Sequence, residues 1–444
     1  MNKSALGVLV LRVLGAAMTY VFVVFLARFM SVDDFGYIGA VFSASLLLSV
    51  FASFGQQQAL VRYIPALRND QNTSGIHAFV AQSLKVVTIS NLVMWACLCI
   101  GLFAASAANL VDNVSVLALG LLIVPLTAFV DFLAYLVRAH KGVLLAVMPK
   151  DILWRLISLA ILAVVFFSNG RQDLPLTFVF GVLVAVLALI IVTTALLAPT
   201  LYGTPTIYQI LKRQTGEFDR SEWSKSNIPF SVTSVASVVF ASVDVVIVAI
   251  LLGPGIAGLY FAANRIAQAP GFFQQSYNVV SGPIFAEHAA TGDHDALAVA
   301  AQNATAFTFI PTIVTCAILA FFAEPILSLF GPDFVAVRPT LFVLLATALA
   351  NVFFGQSDLL LTMCKLEKSA MKISLWSTIL GVIFIVTGAI LADELGAAIG
   401  TFVSVVIRKV WFWRVATQQL NIWCDVISTV ETVFKKERNS GRAN

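Results

Sequence analysis

Apolar runs of about 20 residues or more recur along the whole chain, and nothing else in the sequence limits its fold so severely. They cover residues 4–30, 35–64, 76–107, 114–139, 143–167, 174–198, 226–252, 256–285, 296–322, 335–364, 369–391 and 395–418. Coiled as a helix, such a run spans the hydrocarbon of a bilayer while satisfying its own backbone hydrogen bonds. Only 11% of the 444 residues are charged, against about 25% in a soluble domain. The mean hydropathy is +0.94. The pattern predicts an all-α polytopic membrane protein with about twelve transmembrane helices. The first run follows Lys3 but is too long for a signal-peptide core and lacks a small-x-small cleavage site. It is therefore expected to remain as the first helix.

Basic residues orient such a chain, because short cytoplasmic loops accumulate Lys and Arg. An even number of spans puts both termini on one side. Most Lys and Arg then group with the termini, among them Lys3, Arg68, Arg138, Lys141, Lys212, Arg213, Lys225, Lys365, Lys368 and Lys435. Only Arg28, Arg171 and Arg338 fall in the opposite loops. The expectation is a bacterial inner-membrane protein with cytoplasmic N- and C-termini. The acidic loop at 287–295 falls on the cytoplasmic side but weighs little, since the rule counts cations.

The longest polar stretch, "PTLYGTPTIYQILKRQTGEFDRSEWSKSNIP" at 199–229, divides the chain. The expected organisation is a six-helix bundle at 1–200, a cytoplasmic linker at 201–225, a second six-helix bundle at 226–418, and a cytoplasmic tail at 419–444. In that tail Leu420, Trp423, Ile427, Val430 and Phe434 recur at helical spacing beside Lys435, Lys436 and Arg438. This pattern reads as an amphipathic helix on the inner membrane face, with a disordered tail as the alternative. The five cysteines are scattered, and no CxxC pair exists. Thiols filling apolar space are expected, not disulfides or a metal site. The four histidines are dispersed near loops and make no ligand set.

The two halves resemble each other. "FMSVDDFGYIGA" at 29–40 aligns with "LLGPGIAGLYFA" at 251–262, so that Gly36 matches Gly258. In each, a span ends in a tight turn and the next helix opens with glycine. "LVRAHKG" at 136–142 likewise matches "LLTMCKLE" around Lys365. Both halves begin on the inner side, which implies a parallel duplication with a substrate site between the halves near the midplane.

Several stretches are similar to the multidrug/oligosaccharidyl-lipid/polysaccharide exporter superfamily, over essentially the whole length. "ARFMSVDDFGYIGAVFS" resembles the first-to-second helix turn of bacterial polysaccharide flippases, and "VRYIPAL" the end of their second helix. "RVLG" (12–15), "YFAANRIAQAP" (260–270) and "ATGDHDAL" (290–297) resemble the related lipid II flippase. The resemblance implies a V-shaped pair of pseudo-symmetric six-helix bundles around a cavity lined by the first, second, seventh and eighth helices. It implies cavity arginines at Arg12 and Arg265. A second first-helix arginine of that family falls at Met18 here, which favours an undecaprenyl-diphosphate sugar other than lipid II.

Arg12, Asp131, Asp244, Arg265 and Asp358 lie well inside the runs. Each costs ~2.5–3.5 kcal/mol at a helix centre, so each needs a partner or a function. Asp131 and Asp358 sit within about two turns of Arg138 and Lys365 respectively, and a structural role is the better expectation for both. Asp244 and Arg265 flank Pro254 almost symmetrically, which places them at one depth in a helical hairpin. A self-neutralising ion pair is the plain alternative to a working site there. Arg265, Gln268, Phe272, Gln275 and Ser276 share a helical face, as do Ser231, Ser234, Ser237 and Asp244. Interhelical packing accounts for some of these polar groups. An arginine among amides also suits a diphosphate and sugar hydroxyls, because its planar fork offers paired donors. The candidate substrate site is Arg12, Gln56, Arg265, Gln268 and Gln275. Asp244 and Asp358 are candidates for ion coupling.

No GxxxxGK(S/T) phosphate loop is present, so the coupling ion is expected to be H+ or Na+, with no other cofactor. The residues 369–391 contain no interior carboxylate, which leaves a sodium site built as in one lipid II flippase incomplete. The expected function is a flippase, not an enzyme. Its partners would be lipid-linked oligosaccharide, membrane lipids and polysaccharide polymerase or export machinery, with no nucleic acid. A drug/cation antiporter of the same superfamily is the alternative, kept open by the three intramembrane aspartates. A membrane glycan-synthesis enzyme is a weaker one. "GDHD" offers Asp293 and Asp295, but helix capping explains that short loop better.

Overall fold

A computed structural model describes the backbone of residues 3–69, 71–107, 114–168, 174–206, 208–209, 220–364 and 366–431. The side chains of Arg12, Gln58, Ser231, Ser234 and Ser237 lie outside that description. Among the described residues there is no strand. The helices are α1 Lys3–Phe29, α2 Val32–Ser53, α3 Gln56–Asn69, α4 Thr73–Ala107, α5 Val114–Leu121, α6 Ile123–Ala139, α7 Val143–Met148, α8 Trp154–Ser168 and α9 Leu176–Tyr202. They continue as α10 Arg220–Leu252, α11 Pro254–Ala267, α12 Gly271–Thr291, α13 His294–Phe321, α14 Ala323–Ser328, α15 Arg338–Phe353, α16 Ser357–Met363 and α17 Glu367–Leu420. Two compact units result, Met1–Val246 and Ile247–Asn444, and α10 belongs partly to each.

Eight helical stretches among the described residues are long and apolar enough to cross a membrane. The remaining apolar runs, 4–30, 226–252 and 256–285, are helical too, and the runs 35–64, 256–285 and 335–364 are each split by a break. Phe103, Ile250, Phe321 and Leu391 are each at least three-quarters exposed. Large apolar side chains turned outward along such spans suit contact with lipid. The chain is a multi-pass helical membrane protein.

In the first unit α6 is the central helix, packed by α2, α3 and α9. Its core holds Leu60, Ile64, Phe79, Val80, Phe132 and Leu136. Between α7 and α8 the backbone makes a π-helical turn, Pro149–Leu153. Its widened register turns Lys150 onto Asp131 of α6 at 2.5 Å. Asp131 is thus paired within the first unit, with Lys150. The same turn seats Asp151 against α1, where a Cβ on Gly15 would come within 3.1 Å of the Asp151 Cβ.

In the second unit α17 is the scaffold for α15 and α16. It contains both of the last two apolar runs and reverses at Ala392 and Asp393, whose backbones are not helical. A Cβ on Gly388 would fall on the Gly396 carbonyl, and one on Gly400 would fall on that of Phe384. The two arms meet along this glycine seam at backbone distance, as small residues allow in membranes. Of the cysteines, Cys316 and Cys424 are buried, whereas Cys97 is exposed on α4. The expectation of thiols filling a core therefore fails for Cys97, which lies on an outward face.

Candidate functional site

The second helical run of each half is interrupted, and polar side chains collect at the interruption. In the first unit α2 ends after 22 residues at Phe54, in the left-handed region. Gly55 follows at φ 71. The chain restarts at Gln56, which is wholly buried and donates from Nε2 to the Phe54 carbonyl at 3.4 Å. Gln56 Oε1 and Gln57 Nε2 are buried with no hydrogen-bond partner among the described residues. In the second unit α11 runs for 14 residues and stops before Ala269 and Pro270. Proline removes a donor and pushes the preceding residue out of the helical region. A discontinuous helix frees backbone groups, and in transporters such breaks at matching places in two halves mark the substrate path.

Arg265 stands in the last turn of α11, where the helix dipole favours a cation. Its Nη1 donates to Gln268 Oε1 at 3.1 Å, and its guanidinium lies 4.7 Å from the centre of the Phe261 ring. Gln268 Nε2 donates in turn to Asn264 Oδ1 at 2.5 Å. The fork is thus oriented by an amide and an aromatic face, and Gln268 itself is exposed. A guanidinium held in this way can exchange its neutral acceptor for an oxyanion, a charge-assisted contact. Of the sequence candidates, the structure joins Arg265 to Gln268. Gln275 lies exposed on the next helix, α12. Arg12 lies on α1, with its side chain outside the described residues.

Asp244, nearly buried on α10, accepts the Val245 N–H at 2.9 Å. It belongs to the first unit and Arg265 to the second. Asp358 is held from α17. Lys409 Nζ lies 3.1 Å from its Oδ1 and is almost completely buried. The ammonium of Lys409 is thus committed inside the second unit. Lys365 lies outside the described residues.

Sequence reasoning did not single out Asn351 or Gln356. Asn351 Nδ2 donates to Gln274 Oε1 at 2.7 Å, and Ser281 Oγ donates to Gln356 Oε1 at 2.6 Å. Gln356 Nε2 and the Ser357 hydroxyl are buried with no partner among the described residues. A signal was available: the tripeptide Phe-Gly-Gln occurs at 54–56 and again at 354–356. Both copies sit at a helix break with the glycine at positive φ. No cluster of His, Cys, Asp and Glu among the described residues could hold a metal ion.

A family model described as polysaccharide biosynthesis protein matches residues 2–288. No curated protein matches the sequence. Among solved structures, the chain resembles a multidrug resistance MATE family transporter in an inward-facing conformation. That pair shares 14% identity over 92% of this chain and 94% of the other, with a TM-score of 0.68. It also resembles a MATE protein in complex with MaL6, at 14% identity over 94% of this chain and 97% of that one, with a TM-score of 0.64. A third is a transporter of the same superfamily from Pyrococcus furiosus, described as having a binding pocket of reverse polarity. Identity there is 12%, coverage 94% of both chains and the TM-score 0.64. At these identities the likeness is one of fold.

Proposed function

Because the chain belongs to the polysaccharide biosynthesis protein family, within the multidrug/oligosaccharidyl-lipid/polysaccharide exporter superfamily of membrane transporters, we propose that it flips undecaprenyl-diphosphate-linked oligosaccharide across the bacterial inner membrane. The head group enters from the cytoplasmic leaflet while the prenyl tail stays in lipid. The two bundles then rock to release it on the outer side, and both termini stay in the cytoplasm. Moving an unpaired diphosphate through hydrocarbon would cost many kcal/mol, which a polar path lowers.

The observation that supports this reading is the oriented guanidinium of Arg265, braced by Gln268 and Phe261 beside a helix break. Arg12, Gln56 and Gln275 are proposed to extend the path. Proton coupling is proposed through Asp244, with Asp358 as a second candidate. The test is sugar-chain delivery to the outer leaflet in cells carrying Arg265→Ala or Arg265→Lys at matched expression. Ala should abolish delivery, and Lys should restore it only in part, because an ammonium lacks the paired donors. Normal delivery by Arg265→Ala overturns the head-group role. The buried Asp244 and the likeness to multidrug transporters favour a drug/cation antiporter as the second reading. Export of ethidium by the wild type would support it.

A further inference from the structure

The chain does not leave the second unit when α17 ends at Leu420. Residues 421–425 turn back beneath it and are tied down at each step. Asn421 takes a left-handed turn, and Ile422 and Cys424 are each 1% exposed in the unit's core. Gln302 Nε2 donates to the Trp423 carbonyl at 3.3 Å. Thr305 Oγ1 donates to the Cys424 carbonyl at 2.6 Å. The Asp425 carboxylate accepts from Trp413 Nε1 at 3.0 Å and caps the following turn through Ser428.

What these residues sit on is the break between α15 and α16. The Cys424 thiol lies 3.7 Å from the Phe354 carbonyl, an acceptor freed by the break. Gly355 stands at φ 66, and a Cβ there would collide with the Cys424 carbonyl and with Thr305 Oγ1. So glycine is needed twice over, for its backbone and for the space that the returning segment fills. Downstream, α16 has only seven residues, opens at Gln356 and presents Asp358 to Lys409. A helix of two turns has little stability of its own and takes its position from what holds its ends.

We propose that residues 421–425 are a strap that latches the Gly355 break, so that α16 and its Asp358 re-orient only when the strap lifts. This rests on the transport reading only in that a moving α16 would serve the transport cycle. While the strap is seated, burial pushes the Cys424 thiol up to about 12, and a thiol that stays protonated reacts slowly with electrophiles.

That gives a test independent of transport. In the full chain, with Cys97→Ser, Cys99→Ser and Cys316→Ala, only Cys364 at the end of α16 and Cys424 in the strap remain to be labelled. Thr305→Val keeps the shape and removes one buried hydrogen bond, which should raise the labelling rate of Cys424 about tenfold. If the strap is a latch, Cys364 should accelerate with it. Gly355→Ala should do the same more strongly, or unfold the protein, which is why the Thr305 variant decides the question. Faster Cys424 with unchanged Cys364 overturns the proposal, as does no change at either thiol. A wild-type protein that moves no lipid-linked sugar would refute the transport reading and leave the labelling result standing.

Discussion

Lys409 and Asp358 form an asymmetric ion pair: the ammonium is 4% exposed and the carboxylate 37%, with 3.1 Å between them. Removing one member of such a pair should therefore not have the same effect as removing the other. Asp358→Asn leaves a buried cation without compensation, a loss of about 3–5 kcal/mol. Lys409→Met leaves a carboxylate that is partly exposed and still near the charge of Arg408, so a smaller loss of about 1–2 kcal/mol is expected. The double variant should regain most of the loss. Thermal unfolding of the four proteins in detergent completes the cycle, and equal single-variant losses would contradict this geometry.

The pair also shows how far the sequence could be read. The helical class, the recurrence of long apolar helices and the polar character of α11 were legible, because each is a local property of 20 or so residues, whereas the breaks inside the runs 35–64, 256–285 and 335–364 were not. The partner of Asp358 was not legible. Lys409 follows Arg408 near the inner end of an apolar run, where a cation ordinarily faces cytoplasm. Only the packing of α17 against α16 turns it inward. The π-helical turn that hands Lys150 to Asp131 was hidden for a similar reason, since one extra residue in a turn leaves no compositional trace. By contrast, Arg265 and Gln268 are three residues apart on one helix, and their contact follows from helical geometry alone.

The glycine seam of α17 yields a second prediction. Gly388, Gly396 and Gly400 each bring backbone against backbone between the two arms. Gly388→Val or Gly400→Leu should force the arms apart and lose at least the 1–3 kcal/mol or so typical of overpacking. Yield of monodisperse protein after detergent extraction should fall sharply for both. The reversal itself is strained, because Asp393 adopts φ 48 and ψ −139 without being glycine. Asp393→Gly should stabilise the protein by about 1 kcal/mol, after allowing for the greater freedom of glycine in the unfolded chain.

The corner after α6 should be sensitive to pH. Burial, followed by the nearby charges of Arg68 and His77, holds the His140 pKa below its ordinary value, while its bond to the Leu136 carbonyl opposes them. The Nδ1–H donates to that carbonyl at 3.0 Å. A depressed histidine favours its neutral form in the folded state, so its contribution is complete above the unfolded pKa of about 6.5. It is lost as pH falls through the lower, folded value. The melting temperature in detergent should be level from about pH 8 to 7 and decline toward pH 5. His140→Gln should remove part of that decline. A wild-type curve that rises on acidification would reverse the sign argued here.

The last prediction tests whether Arg265 must be free to change partners. Its Nη1 now rests on a neutral acceptor, Gln268 Oε1. Exchanging that hydrogen bond for one to a diphosphate gains a charge-assisted contact, roughly twice as strong. Gln268→Glu keeps the size of the side chain but supplies a permanent counter-charge, against which the diphosphate would have to compete. It should therefore reduce flipping about tenfold or more, the effect of placing a carboxylate beside a required cation. Gln268→Ala removes only the brace, so the expected loss is about two- to fivefold, the equivalent of one neutral hydrogen bond. Delivery of labelled sugar chains in cells, with surface expression matched, separates the two. If Glu is tolerated as well as Ala, Arg265 does not meet the diphosphate, and its contacts with Gln268 and Phe261 serve packing alone.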